Sequence, residues 1–185
     1  MIDQIYQTAE RKMKRAVEAL QHDLAAVRTG RASPALLERV QVDYYGTPTP
    51  LNALAAINVP EPRLLVIQPW DKKLLPAIEK AIQKSDLGLT PSSDGSVVRL
   101  VVPPLNEERR RELVRLVHKR VEEARVAIRN CRREAIDELR KAEREQHLSE
   151  DQVKRAQERL QKLTDSFIAQ ADDVGRRKES EVMEL

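Results

Sequence analysis

From Leu105 to Val174 the chain runs seventy residues without a glycine or a proline. A stretch that long cannot be a string of turns, because glycine and proline supply the backbone conformations that turns need. Its apolar residues are spaced for helix. Val114, Val117, Val121, Ala124, Ile128, Cys131 and Ala135 follow alternating three- and four-residue steps, and Leu139 and Ala142 extend the stripe. Asn106 is placed to cap the start, with Glu107 and Glu108 at the positive end of the helix dipole. At 1.5 Å per residue this helix spans roughly 60 Å. Ser149-Glu-Asp-Gln152 then reads as a capping box. It opens a last helix with Val153, Ala156, Leu160, Leu163, Phe167 and Val174 on one face.

The beginning of the chain shows the same pattern. Ile2, Ile5, Tyr6, Ala9, Met13, Ala16, Val17, Leu20, Leu24 and Val27 predict a first helix over residues 2–28. The pattern breaks at Arg28-Thr-Gly-Arg-Ala-Ser-Pro34, where Gly30 can cap the helix and Ser33-Pro34 opens one short turn through Leu36 and Leu37.

Residues 39–104 are different in kind. Nine of the ten prolines lie between positions 48 and 104. Val40–Tyr45 alternates like a strand, and Gly46-Thr-Pro-Thr-Pro50 reads as a turn. Leu54–Val59, Arg63–Gln68 and Val97–Val102 read as further strands, with a turn at Ser92-Ser-Asp-Gly95. Asp71 caps a helix to about Ser85 that turns Leu74, Leu75, Ile78, Ala81 and Ile82 inward. Trp70, just before that cap, reads as a core or edge residue of this module. The expected class is therefore α+β: a long antiparallel three-helix bundle, residues 1–30 and 105–185, with a small β/α/β domain, residues 31–104, inserted between its first and second helices. Three rods of comparable length can bury one another, which favours a monomer. An elongated coiled-coil dimer is the alternative.

Composition excludes several functions. Five aromatic residues are too few for a domain that stacks single-stranded bases on aromatic rings. One cysteine, Cys131, excludes a disulfide framework, and its place on the stripe predicts a buried thiol. No apolar run approaches the roughly 18 residues of a membrane span, and the N-terminus lacks a secretory pattern, so the chain reads as soluble and cytoplasmic. His22, His118 and His147 have no metal-ligand spacing, no glycine-rich phosphate loop occurs, and the helix carboxylates alternate with Lys and Arg as solvated partners. Neither an enzyme nor a metal or other cofactor is expected.

What rises above this background is arginine. Residues 106–133 carry ten basic and five acidic side chains, whereas residues 134–185 carry ten basic and fourteen acidic. The chain's total of +3 conceals a basic half-helix. At 100° per residue, with Arg129 at zero, Arg111 falls at about 0°, Arg115 and Arg133 at about +40°, Arg125 at about −40° and Arg132 at about −60°. The apolar stripe lies near −80° to −140° on the same scale. These arginines share one flank beside the core. Such a flank is either a solvated face paired with Glu107, Glu108 and Glu122 or a phosphate-binding surface. The preference for arginine, whose planar fork grips phosphate bidentately, favours the second. With few aromatics it would read the shape and phosphates of a folded RNA.

Several motifs in one order carry a family resemblance. They are Arg28-Thr-Gly-Arg-Ala-Ser-Pro-Ala-Leu-Leu37, Asp43-Tyr-Tyr-Gly-Thr-Pro-Thr-Pro-Leu51, Glu79-Lys-Ala-Ile82, Ser85-Asp-Leu-Gly-Leu89, Pro103-Pro-Leu-Asn-Glu-Glu-Arg-Arg-Arg111, Ala127-Ile-Arg-Asn-Cys-Arg-Arg133 and Leu148-Ser-Glu-Asp151. Together they resemble the bacterial ribosome recycling factor family along the whole chain. The resemblance implies an L-shaped molecule whose rod binds ribosomal RNA of the large ribosomal subunit after termination. It implies that, with elongation factor G and that partner's GTP hydrolysis, the subunits are split while messenger RNA and deacylated transfer RNA leave. The family's functional arginines fall on Arg110, Arg129 and Arg132, with Arg28 and Arg31 near the elbow. Arg133 joins them from the flank. Gly30, Arg31, Ala32 and Ser33 on one side and Pro103, Pro104 and Leu105 on the other are the expected hinge. Asn106 and Cys131 stand where other members often have threonine and an aliphatic residue.

Overall fold

The computed structural model describes residues 1–85 and 87–184; Asp86, inside the Ser85–Leu89 motif, lies outside them. In chain order the elements are α1 (Ile2–Ala25), a 3-10 turn (Pro34–Leu37), β1 (Gln41–Tyr44), β2 (Thr47–Pro50), the single turn α2 (Leu51–Leu54), β3 (Ala55–Glu61), β4 (Leu64–Pro69), a second 3-10 turn (Lys72–Leu74), α3 (Leu75–Lys84), β5 (Pro91–Ser93), β6 (Val98–Val101), α4 (Glu107–Gln146) and α5 (Glu150–Met183). The fold is α+β. It divides into two compact units, Met1–Arg28 with Asn106–Leu185, and Thr29–Leu105.

The first unit is a three-helix bundle. Asn106 Oδ1 accepts the Arg109 N–H at 2.7 Å and starts α4. His147 ends it in a left-handed conformation (φ 54°). Ser149 and Gln152 exchange both capping-box bonds and start α5 at once, so α4 and α5 run antiparallel. The start of α1 packs beside Leu139, Ala156 and Leu160, and Lys12 on α1 meets Glu134 on α4 at 3.0 Å, so α1 is antiparallel to α4 as well. Met13, Leu24, Ile128, Leu139 and Leu160 are fully buried where the three stripes meet. Each such side chain stabilises the bundle by about 1.5–3 kcal/mol.

The second unit has its own core. The four-stranded antiparallel sheet has the order β3-β4-β6-β5. Leu65 and Ile67 of β4 lie opposite Leu100 and Val98 of β6 and face inward with Leu75, Ile78 and Ile82 of α3. The hairpin β1–β2 forms a separate two-stranded sheet and adds Val42 to the same core.

Several local expectations need correction. Of Gly46–Pro50 only Gly46 lies in a turn; Thr47–Pro50 forms β2, paired with β1 from Tyr44↔Thr47 to Gln41↔Pro50. The turn is confined to Tyr45 and Gly46, both at positive φ, with Asp43 Oδ1 accepting the Gly46 N–H at 2.8 Å. Pro48 and Pro50 are two apart, so both missing N–H groups fall on the outer edge, where no ladder bond is lost. Ser92 and Ser93 belong to β5, and the following turn begins at Asp94, whose carboxylate accepts the Ser96 and Val97 N–H groups. Helix α1 ends at Ala25 with Ala26 as its cap, not at Gly30. On α4 the stripe's centre passes midway between Leu113 and Val114, and Leu113 is the residue the packing buries. Cys131 is half-buried, packs against the core and lines a groove of about 580 Å³ between α1 and α4. That burial pushes its thiol pKa up, with Glu134 adding to the effect. Trp70 is in no core: it is 71% exposed.

Candidate nucleic-acid interface

The arginines of α4 separate into two groups once their partners are known. Arg109 pairs with Glu112 at 2.8 Å, Arg111 with Glu107 at 2.7 Å and Arg120 with Glu123 at 3.1 Å, all within the helix. Arg125 reaches across to α5, where its Nε donates to Asp172 Oδ1 at 2.7 Å, and its Nη1 meets Glu122 at 3.1 Å. Hydrogen bonds to Asp172 and then Glu122 raise its pKa above the ordinary arginine value. His118 makes a parallel link, its Nε2 lying 3.1 Å from Glu179. Of these, Arg111 and Arg125 lie on the basic flank, and Arg125 and His118 tie α4 to α5.

Three further arginines of the flank cluster on one turn, while Arg115, also on the flank, stands exposed elsewhere on α4 with no acidic partner among the described residues. Arg129 keeps only a long 3.7 Å approach to Glu122. Arg133 is exposed, and among the described residues it has no acidic partner. Arg132 donates from Nη1 to Gln161 Oε1 at 3.1 Å, and Gln161 Nε2 in turn donates to Asp165 at 2.9 Å. A neutral amide thus aims the guanidinium without cancelling its charge. Because the three lie at i, i+3 and i+4, their guanidinium groups rise from neighbouring points of one helical surface. Adjacent guanidinium groups with little nearby acid suit phosphate binding, and Arg132 is the one whose fork Gln161 holds in direction.

Arg110 is a separate case. It falls at about −100°, inside the apolar stripe. It is half-buried, with Nε shut from solvent and unbonded, so its stem packs on the core while the end of the fork reaches outward. Nineteen residues, about 28 Å of helix, separate it from Arg129. Arg28 and Arg31 are both exposed; Arg28 closes the first segment of the bundle unit, and Arg31 belongs to the inserted unit.

The expected hinge residues also separate. The Ala32 N–H donates to Pro62 O at 2.7 Å, and Val102 N–H to Arg63 O at 2.8 Å, so incoming and outgoing chain are both tied to the turn between β3 and β4. Ser33 caps the first 3-10 turn by accepting the Ala35 N–H. Ala32 and Ser33 are thus held inside the module. Gly30 has φ +80° and sits so close to Leu105 that a Cβ there would lie 3.2 Å from Leu105 Cγ.

Gln161 and Asp165 were not read from the sequence. A polar α5 face signals solvent, and only the register between α4 and α5 turns Gln161 toward Arg132.

The family model described as Ribosome recycling factor matches residues 20–183. The chain belongs to the ribosome recycling factor family. The ribosome-recycling factors of Heliobacterium modesticaldum and Geobacillus kaustophilus are 59% and 57% identical to it over 185 residues, covering all of both chains in each case. A solution structure of a ribosome recycling factor is similar with a TM-score of 0.76 at 49% identity, covering 100% of this chain and 98% of the other. A second similar structure contains the T. thermophilus ribosome recycling factor and E. coli elongation factor G bound to the E. coli post-termination complex; its recycling factor is 51% identical, with a TM-score of 0.66 and full coverage of both chains.

Proposed function

We propose that this ribosome recycling factor binds the post-termination ribosome through RNA phosphates of the large subunit. With elongation factor G it then splits the subunits for reuse, while messenger RNA and deacylated transfer RNA leave. The observation that carries the RNA contact is the turn of α4 bearing Arg129, Arg132 and Arg133, which is left positive where the neighbouring Arg125 is neutralised. Arg110, Arg28 and Arg31 extend the contact at other points. The chain performs no bond chemistry; GTP hydrolysis belongs to elongation factor G, and the work takes place on ribosomes in the cytoplasm. Gly30, Arg31 and Pro103 to Leu105 form the pivot about which the inserted module moves when the translocase pushes on it, with Ala32 and Ser33 as its inner boundary.

Co-sedimentation with large ribosomal subunits tests the anchor. Arg132→Ala should weaken binding about tenfold at low salt, the worth of one charge-assisted contact. The difference should shrink as salt rises, because phosphate contacts release counterions. Unchanged affinity at low salt removes the arginine face from the account. Subunit splitting assayed with and without elongation factor G tests the rest, since splitting that proceeds equally in both would contradict the partner's role.

A further inference from the structure

Trp70 is the only tryptophan of the chain and the large apolar side chain least suited to water, yet 71% of it is exposed. Its backbone is not loose. The Trp70 N–H donates to Leu54 O at 2.9 Å, Pro69 before it is buried and paired with Ala55, and Asp71 after it caps the 3-10 turn by accepting the Lys73 N–H at 3.0 Å. The indole is therefore displayed from a rigid corner at the end of β4. Two and three residues beyond it, Lys72 and Lys73 are both exposed, and neither has an acidic partner among the described residues. Asp71, the nearest carboxylate in sequence, is already engaged by the backbone. The described ring–cation contact of the molecule is Arg159 over Tyr6, so no cation covers the indole.

An uncovered aromatic ring on a preorganised backbone, next to two uncompensated ammonium groups, matches the chemistry of an unstacked nucleotide. The ring stacks a base, and the lysines neutralise the flanking phosphates. Protein partners favour a different surround, since lysine is depleted in the cores of protein interfaces. We propose that Trp70, Lys72 and Lys73 form a second RNA-binding site, on the inserted module, that takes an unpaired base of a single strand or bulge. The site reads no particular base, because every base offers a π-face. It differs in kind from the arginine turn of α4, which grips phosphates alone, and does not depend on that turn's role.

The lone tryptophan makes the test direct. Titrating the full chain with single-stranded nonaadenylate should quench Trp70 fluorescence saturably, whereas inorganic polyphosphate, which carries charge but no base, should not. Lys72→Ala with Lys73→Ala should raise the concentration for half-quenching severalfold and reduce the steepness of its salt dependence, each phosphate contact contributing about 0.7 to the logarithmic slope. With fluorescein-labelled nonaadenylate, Trp70→Ala should weaken binding about tenfold and Trp70→Phe should restore most of it, because a phenyl ring still stacks. Both substitutions alter an exposed side chain and leave the core intact. Absent quenching, quenching that the two lysines do not affect, equal quenching by polyphosphate, or a fluorescence change produced by elongation factor G but not by RNA would each overturn the site.

Discussion

Asp94 shows how one side chain can organise a turn and make it sensitive to acid. Its carboxylate accepts the backbone N–H groups of Ser96 and Val97 and pairs with Arg99 at 2.7 Å. The two backbone bonds are the largest cause, and with Arg99 they lower its pKa from 3.8 to about 2. The unfolded chain therefore takes up this proton at a higher pH than the folded one. The stability Asp94 contributes is complete above about pH 4 and is lost as the pH falls through about 2. Thermal unfolding of the wild type and Asp94→Ala should differ above pH 4 and converge near pH 2. A difference that persists unchanged at pH 2 would remove the carboxylate's charge as the cause. Asp94 is exposed, and the turn motif around it was visible in the sequence; the reach back from Arg99 on β6 was not, because it depends on the strand that follows.

At the scale of elements, α4 and α5 approach each other closely at one point. Gly175 on α5 is buried, and a Cβ built there would lie 2.5 Å from Val121 Cγ2 on α4. Glycine inside a helix costs about 1 kcal/mol relative to alanine in an open position. Here the sign reverses, because the methyl group has no space. Gly175→Ala should destabilise the bundle by about 1–3 kcal/mol, measured by denaturant unfolding. Gly175→Ala with Val121→Ala should recover part of that loss by vacating the contested volume. A stabilising single substitution would show that the helices part without strain. The same seam carries Arg125–Asp172, His118–Glu179 and Arg132–Gln161. Close approach at Gly175 and a flank of cross-helix polar contacts are consequences of one register. The periodicity of each helix stripe was legible, but register was not: stripes specify which face is buried, not how far one helix slides along the other.

At the scale of the whole molecule, two stretches of chain join the inserted module to the rest. Gly30 lies on the first of them, with a positive φ and Leu105 of the second against it. Gly30→Val combines an unfavourable backbone conformation with crowding against Leu105, at a cost of about 1–2 kcal/mol for the backbone alone. The substitution should leave binding to large subunits nearly intact, because the arginine turn of α4 is untouched, and should lower the rate of subunit splitting with elongation factor G. A loss of binding equal to the loss of splitting would assign Gly30 a purely structural role.

Much of this protein follows from sequence because its largest elements are long and periodic. Seventy residues free of glycine and proline, with apolar side chains at helical spacing, commit the chain to α4 and α5 before any contact is considered, since the pattern is satisfied by local geometry and by any apolar neighbour. The capping residues Asn106 and Ser149 and the break after α1 are local for the same reason. The short elements of the module were less legible. A proline-rich strand such as β2 is possible only because β1 occupies one of its edges and solvent the other. Tertiary structure alone decided three things that bear on the proposed sites: which α4 arginines are neutralised and which stay open, which of the expected hinge residues are tied into the module, and that Trp70 faces water. Each depends on where a residue's partner sits in another element, and spacing along one chain segment carries no information about that.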